Sequence, residues 1–236
     1  MLKRLLKRLI PLNTRIRLLQ PFVDYYRHTR KQNLRKYGPH TELFGPLSLS
    51  GQYVEMDNHT RLQSGARVIS AGGVFRVKKY SAIAVECMII PGTHVPTVGL
   101  PQFLSITHIN DTCSEVVIEE DVWVGARCIF LHRAHVGRGA VIGAGSLVTK
   151  EVPPYSVVAG SPARIMAVRF TKEQILRHEA ILYPPEERMA EEELDRLFAT
   201  TYKDLRAIGT SEMSDEDREL LRQKKEEYNI PVYADC

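Results

Sequence analysis

The chain has 236 residues, 44% of them hydrophobic, which is enough for a real core in one or two domains. No run approaches about 18 uncharged apolar residues, so we expect no membrane-spanning helix. The start, MLKRLLKRLIPL, has charges among its apolar residues and lacks the apolar stretch of a secretory signal. Cysteines without CxxC spacing predict reduced thiols in a cytoplasmic protein: Cys87, Cys113, Cys128 and Cys236.

The positive charge of the chain is concentrated at its N-terminus. Residues 1–36 contain eleven Lys and Arg and one acid, a local net charge of +10, so the overall +4 leaves −6 for the rest. Apolar residues within residues 1–10 follow helical spacing, with the basic residues on the other face. We predict a basic helical segment over residues 1–45, whose first ten residues contact an anionic membrane surface or, alternatively, pack on the protein itself or on a neighbouring subunit. No nucleic-acid motif accompanies them, so nucleic acid is not an expected partner.

The middle of the chain, residues 46–167, carries a six-residue repeat. Large apolar residues recur at every sixth position, at Ile118, Val124, Phe130, Val136, Ile142 and Val148. Mostly small residues follow each at the fourth place, at Val122, Cys128, Ala134, Ala140, Ser146 and Val152. The same step runs upstream from Met56 to Val74 and, after a three-residue slip, from Val77 to Ile89. A period of six is typical of a β-helix in which three hexads close one coil and coils stack about 4.8 Å apart.

Two segments within this repeat resemble a known family. EDVWVGARCIF and GAGSLVTKEVPPYSVVAGSPARI are similar to hexapeptide-repeat acyltransferases, in the branch that holds the maltose and galactoside O-acetyltransferases and the xenobiotic acetyltransferases. The resemblance covers about residues 46–182. It implies a mainly β fold, the left-handed parallel β-helix, and a homotrimer with active sites between the β-helices of neighbouring chains. It also implies acetyl-CoA as the acyl donor and no metal.

The repeat breaks after Ile90 into an insert with three prolines, which we assign to residues 91–116. Such an insert in a regular solenoid is more often functional than accidental. The resemblance places the catalytic histidine in this loop, at His94 of PGTHVP, where an imidazole would remove the proton of an attacking hydroxyl. Spacing identifies no acidic partner for His94, and an ordinary loop histidine is the alternative. His108 in the same loop is a candidate contact to the acceptor or a structural residue.

The resemblance also assigns residues to the donor side. The backbone at Gly125 and Ala126 is the candidate oxyanion site, and Ala126 lacks the hydroxyl that some relatives carry there. The candidate CoA-binding residues are Trp123, Ala144, Thr149, Lys150 and Arg164. Cations at such positions suit the phosphates of CoA. A plain surface role is the alternative for Trp123, Lys150 and Arg164.

Residues 168–236 are predicted to form a C-terminal helical extension. Thr171 and Gln174 have the spacing of a capping box, and Pro185 stands where a helix can begin. The stretch SDEDRELLRQKKEEY places acids before bases, as the helix dipole favours.

The favoured function is acetyl-CoA-dependent O-acetylation of a sugar in a polysaccharide or glycolipid precursor, with His94 as general base. The basic N-terminus supports it, because lipid-linked glycans lie at the cytoplasmic face of the membrane. Alternatives are a xenobiotic O-acetyltransferase, which VRFTKEQILRHEAIL resembles, and a non-catalytic scaffold. A zinc enzyme would need three converging histidines from the set His59, His94, His108, His132 and His135. Of these, His132 and His135 occupy outward positions of the repeat and are expected at the surface.

Overall fold

The computed structural model describes Leu19, Phe22 and residues 30–234, so the helix predicted for residues 1–10 lies outside the described residues. The described chain is mainly β, with about six stacked parallel coils followed by helices. The first three coils contain β1 (Lys36–Tyr37), β2 (Glu42–Leu43), β3 (Ser48–Leu49), β4 (Val54–Met56), β5 (Arg61–Leu62), β6 (Arg67–Val68), β7 (Val74–Val77), β8 (Ala82–Ile83) and β9 (Met88–Ile89). An insert then contains β10 (Gly92–Thr93) and β11 (Thr112–Cys113). The remaining coils contain β12 (Glu115–Ile118), β13 (Trp123–Val124), β14 (Ile129–Phe130), β15 (His135–Val136), β16 (Val141–Ile142), β17 (Leu147–Val148), β18 (Glu151–Val152), β19 (Ser156–Ala159) and β20 (Arg164–Val168).

The strands form the three faces of a triangular prism. The first face consists of β1, β4, β7, β12, β15 and β18, the second of β2, β5, β8, β13, β16, β19 and β20, and the third of β3, β6, β9, β14 and β17. All neighbours on these faces are parallel except β20, which runs antiparallel to β19. We name the edge between the first and second faces the first corner, that between the second and third the second corner, and that between the third and first the third corner.

The six-residue repeat fills the interior of the prism. All six large residues from Ile118 to Val148 are at most 1% exposed. The six mostly small residues from Val122 to Val152 are at most 4% exposed. Each large side chain projects inward from a strand, and each small one lets the backbone turn a corner. The fold prediction, a left-handed parallel β-helix, is confirmed.

The slip and the insert are both visible in the strand register. Val117 pairs with His135, 18 residues later, whereas Glu55 pairs with Arg76, 21 residues later. One coil is therefore three residues longer than the regular three hexads. Arg76 then pairs with Val117, 41 residues later, so the next coil carries 23 additional residues (41 − 18). These residues leave the prism at the third corner, because they connect β9 of the third face to β12 of the first.

Three α-helices follow the prism, namely α1 (Lys172–Leu182), α2 (Glu191–Ala199) and α3 (Asp215–Glu227). The capping box predicted at Thr171 and Gln174 is present at the start of α1. Pro185 begins only a 3-10 turn, and α2 starts at Glu191 instead. The physical reason is that the Met189 N–H donates to the carboxylate of Glu179, which holds this connection in a non-helical path. Within the described residues, no helix is both long and apolar enough to cross a membrane.

The helical extension runs back along the first corner, from the last coil towards the first. In α1, Glu179 is buried and accepts hydrogen bonds from Arg138 and Tyr155 of the last coils. Farther along, Glu187 pairs with Lys79. Tyr228 reaches the first coils, where its carbonyl lies 2.6 Å from His59 Nε2. The first corner is therefore covered by the chain's own C-terminal part. The described cysteines, Cys87, Cys113 and Cys128, are free thiols.

Candidate active site

A hairpin in the insert brings His94 next to an acid. β10 pairs antiparallel with β11, and Thr93 lies opposite Thr112. The residues of the next pair along the hairpin, His94 and Asp111, therefore face each other. The Nδ1 atom of His94 lies 2.9 Å from Oδ1 of Asp111. Asp111 is the acidic partner that sequence spacing did not identify, because the pairing depends on the register of the hairpin. The sequence signal was only indirect: GTH and NDT lie at the two ends of the insert, where the chain has to leave and rejoin the prism.

His108 is bound to the other oxygen of the same carboxylate. Its Nδ1 atom lies 2.7 Å from Oδ2 of Asp111, and its ring stacks on that of His94 with centroids 5.6 Å apart. His108 follows a 3-10 helix, Gln102–Thr107, and adopts the left-handed conformation with φ 56°. This turn directs the chain back towards Asp111, so that both histidines reach one carboxylate.

The charge of Asp111 determines the protonation of both rings. Hydrogen bonds from His108 and then His94 lower the pKa of Asp111, so its carboxylate is ionised at neutral pH. An ionised carboxylate only accepts, and each neutral ring must therefore carry its proton on Nδ1. The Nε2 atom of His94 is left with a lone pair and has no hydrogen-bond partner among the described residues. With the side chain 49% exposed, that lone pair can receive a proton from a bound molecule.

The candidate oxyanion site lies at the second corner. The Gly125 N–H donates to the carbonyl of Ile142 at 2.8 Å and is already engaged. The Ala126 carbonyl accepts from Gly145 at 2.8 Å, while the Ala126 N–H makes no hydrogen bond within the described chain. The oxyanion candidate thereby narrows from the Gly125–Ala126 backbone to the N–H of Ala126. Ala144, a candidate CoA contact, is exposed in the coil stacked directly on Gly125.

The other candidate CoA-binding residues are divided between two parts of the prism. Trp123 points outward from the second face and is 61% exposed. Arg164 begins β20 and pairs with Ala159 at the end of that face. Thr149 and Lys150 are exposed at the third corner, after β17. One chain thus has Trp123, Ala144 and Arg164 at the second face and second corner, whereas Thr149 and Lys150 lie at the third corner, where the His94 insert also leaves the prism.

The insert exposes an unusual amount of apolar surface. Val98, Phe103 and Ile106 are 104%, 91% and 78% exposed, and Leu104 and Ile109 are also exposed. Apolar groups concentrated on one projecting loop are typical of a surface that contacts another molecule.

The remaining histidines singled out in the sequence do not join this cluster. His135 points outward from β15 and binds Glu119, with Nε2 2.8 Å from Oε1. His132 lies in the turn just before it, at the third corner. His59 lies at the first corner, against Tyr228. Of the five histidines considered for a zinc enzyme, only His94 and His108 come together, and they do so with Asp111.

Comparison with known proteins finds similarity to transferases with hexapeptide repeats. Residues 115–150 match the family model described as bacterial transferase hexapeptide (six repeats). The chain is 43% identical over 75 residues to a chloramphenicol acetyltransferase from Klebsiella aerogenes, a match that covers 32% of this chain and 36% of that protein. It is 42% identical over 69 residues to a 2,3,4,5-tetrahydropyridine-2,6-dicarboxylate N-acetyltransferase from Staphylococcus aureus, covering 28% of this chain and 29% of that one. The chain thus spans about a third of the length of the curated relatives it matches.

Solved structures share the fold. A galactoside acetyltransferase in complex with coenzyme A superimposes with a TM-score of 0.53 at 18% identity, over 70% of this chain and 94% of that one. A hexapeptide-repeat acetyltransferase from Vibrio cholerae, complexed with acetyl coenzyme A, gives a TM-score of 0.52 at 22% identity, over 58% and 73% of the two chains. The repeat and the prism give the chain the fold of these solved acetyltransferases, and its sequence is similar to that of hexapeptide-repeat transferases, as the resemblance stated from the sequence predicted.

Proposed function

We propose that the chain is an acetyl-CoA-dependent O-acetyltransferase that acts on a sugar hydroxyl in a polysaccharide or glycolipid precursor, with His94 as general base. The observation that carries this proposal is the His94–Asp111 pair, which leaves Nε2 of His94 free on an insert of a hexapeptide β-helix. The sequence relatives, both named as acetyltransferases, support acetyl transfer.

These residues suggest how the proton and the bonds move during acetyl transfer. Nε2 of His94 takes the proton of the acceptor hydroxyl as its oxygen attacks the thioester carbon, and Asp111 stabilises the imidazolium that forms. The N–H of Ala126 donates to the oxyanion of the tetrahedral intermediate. When the intermediate collapses, the carbon–sulfur bond breaks, and the CoA sulfur takes the proton back from His94.

This mechanism requires a neighbouring chain, because His94 and Ala126 lie at different corners of one prism. When three prisms pack around a threefold axis with one face inward, the two corners that flank that face meet corners of the neighbours. Only an inward third face brings the second corner of one chain next to the third corner, and therefore the insert, of another. We infer a homotrimer built on the third face.

Two features of the surface support this arrangement. The third face has a row of outward apolar residues in consecutive coils, Met88, Ile129 and Leu147, which pair in register. The helical extension covers the first corner, which is the corner farthest from the axis when the third face is inward. The exposed apolar side chains of the insert would then lie against the neighbouring chain.

A xenobiotic acceptor is the second candidate, since one relative is a chloramphenicol acetyltransferase. However, the relative with a different named acceptor matches almost equally well, at 42% against 43% identity. The local similarity therefore does not select the acceptor. The concentration of Lys and Arg in residues 1–36 favours an acceptor at the cytoplasmic membrane face, with peripheral contact through residues 1–10.

The test is thiol release from acetyl-CoA with two acceptor panels, one of saccharides and lipid-linked sugars and one of hydroxyl-bearing antibiotics. Turnover with a sugar supports the proposal, and turnover with an antibiotic alone supports the second candidate. His94→Ala should lower the rate about 10²- to 10⁴-fold with unchanged thermal unfolding. His135→Ala, an exposed histidine outside the insert, should retain the rate. Turnover that survives His94→Ala would show that His94 is not the base.

A further inference from the structure

We propose that His94, His108 and Asp111 form a binding site for a divalent transition metal, and that zinc bound there blocks acyl transfer. The blocking effect rests on the proposed function, whereas the binding itself does not. Among the described residues, these three form the one group of His, Cys, Asp or Glu side chains that could hold a metal, with ligand atoms within 4.8 Å of one another.

The distances are close to those of a bound ion. Nδ1 of His94 and Nδ1 of His108 lie 2.9 and 2.7 Å from the two oxygens of Asp111. Zinc with nitrogen and oxygen ligands at about 2.0–2.1 Å in tetrahedral geometry separates its ligands by roughly 3.3 Å. These two nitrogen–oxygen separations therefore have to open by only about half an ångström, and the ligand atoms of the three side chains lie within 4.8 Å of one another.

The donor set selects the kind of metal. Two imidazoles and one carboxylate suit zinc, cobalt or nickel, whereas magnesium and calcium prefer oxygen ligands throughout. Three protein ligands leave a fourth position for water. The side chains of His94 and His108 are 49% and 50% exposed, so an ion has a path to the cluster.

Metal binding would change the chemistry of His94. In the metal-free protein the carboxylate holds a proton on Nδ1 of each ring. An ion that takes the Nδ1 lone pair moves this proton to Nε2, with no net proton loss from the neutral ring. Nε2 of His94 then carries a hydrogen and has no lone pair to accept the proton of a hydroxyl. The same three residues would therefore act as a base when free and be silenced when metallated.

Direct binding tests the site without reference to activity. The metal-free full chain is titrated with Co²⁺ by visible absorption and with Zn²⁺ by calorimetry. We expect one ion per chain and ligand-field bands of cobalt bound to nitrogen and oxygen. His108→Ala and Asp111→Asn should each weaken binding at least tenfold, while His135→Ala should bind as the unmodified protein does. Absence of saturable binding, or equal binding by His108→Ala, would overturn the site.

Inhibition tests the second half of the proposal. Zinc should stop acetyl transfer at the concentration at which it binds, and a chelator should restore the metal-free rate. His108→Ala, compared with its own metal-free rate, should need at least tenfold more zinc. Zinc that raises the rate would contradict the blocking effect. A chain that binds cobalt but transfers no acetyl group when metal-free would refute the proposed function and leave the metal site standing.

Discussion

At the scale of single residues, Asp111 decides which nitrogen of His94 is available for chemistry. Its carboxylate accepts from Nδ1 of both histidines, so the free nitrogen of His94 is Nε2. The hydrogen bonds from His108 and His94 also keep the pKa of Asp111 low, which preserves the negative charge that an imidazolium needs beside it. Asp111 is thus a positioning residue for the proposed base.

Asp111→Asn should lower kcat/KM on the order of 10²-fold or more, because an amide no longer fixes the tautomer of His94. The loss should fall mainly on kcat rather than on KM, because Asp111 acts through His94 and is not placed against either substrate. The measurement is kcat and KM for acetyl transfer at neutral pH. Asp204→Asn, at an exposed position outside the insert, is the matched control and should leave both unchanged. Kinetic constants of Asp111→Asn identical to those of the control would exclude the positioning role.

At the scale of elements, the close stacking of coils requires glycine at particular corner positions. A Cβ atom added at Gly125 would lie 2.6 Å from the backbone nitrogen of Ala144 and 2.9 Å from the carbonyl oxygen of Ile142. Because these are backbone atoms of the next coil, neither can move without disturbing the ladder. The same close approach brings Ala126 and Ala144 together at the second corner.

Gly125→Ala should therefore destabilise the protein by about 1–3 kcal/mol. Gly92→Ala is the matched control, because its added Cβ would meet nothing closer than the Thr112 carbonyl oxygen at 3.6 Å. Urea unfolding of both variants measures the difference. Equal midpoints for the two variants would mean that the coils can separate at this corner.

The docking of the helical extension depends on a charged cluster at the first corner. Asp121 Oδ2 lies 2.7 Å from Arg169 Nη1 and 2.8 Å from His178 Nε2 of α1. Burial alone would raise the pKa of Asp121, but the hydrogen bond from His178 and the charge of Arg169 outweigh it and lower the pKa. A lowered pKa in the folded state means that ionised Asp121 stabilises the fold.

Asp121→Asn should cost about 1–3 kcal/mol near neutral pH, as expected for hydrogen bonds to a charged group. The contribution of Asp121 is fully present above its unfolded pKa of about 3.9 and is lost as pH falls below this value towards the folded pKa. The stability difference between the two proteins should therefore shrink below about pH 4. Urea unfolding at pH 7 and pH 3.5 measures it, with Asp215→Asn in exposed α3 as control. A difference that stays constant with pH would argue against an ionic role.

At the scale of the whole molecule, the three faces differ in character. The first face bears outward charges in ion pairs, such as Arg76 with Glu55 and Glu115. The third face instead has Met88, Ile129 and Leu147 on its outside. Since its flanking corners hold Ala126 and the His94 insert, assembly and catalysis are expected to depend on the same face.

Ile129→Arg should convert a trimer to smaller species and abolish acetyl transfer, because the substitution places a charge in the inferred interface. Val117→Arg, at the equivalent outward position of the first face, should retain both assembly and activity. Sedimentation velocity and thiol release measure the two properties. A monomeric Ile129→Arg variant with full acetyl-transfer activity would refute an active site formed between neighbouring chains.

The period of six by itself determined the β-helix, the two buried phases and the place of the interruption after Ile90. It could do so because each hexad repeats one local geometry, so the phase of a residue states whether it points inward. The capping box of Thr171 and Gln174 was likewise predictable from the sequence, because both residues lie at the first turn of α1.

The tertiary structure decided how distant positions meet. His94 pairs with Asp111 across 17 residues, and the Gly125 N–H is engaged by Ile142 of the next coil. The turn at His108 and the return of the C-terminal chain along the first corner likewise bring together residues that are far apart in the sequence. Each depends on the register of a hairpin, a coil or a docked helix. A six-residue period carries no information on such a register, because it describes each residue only relative to its own strand.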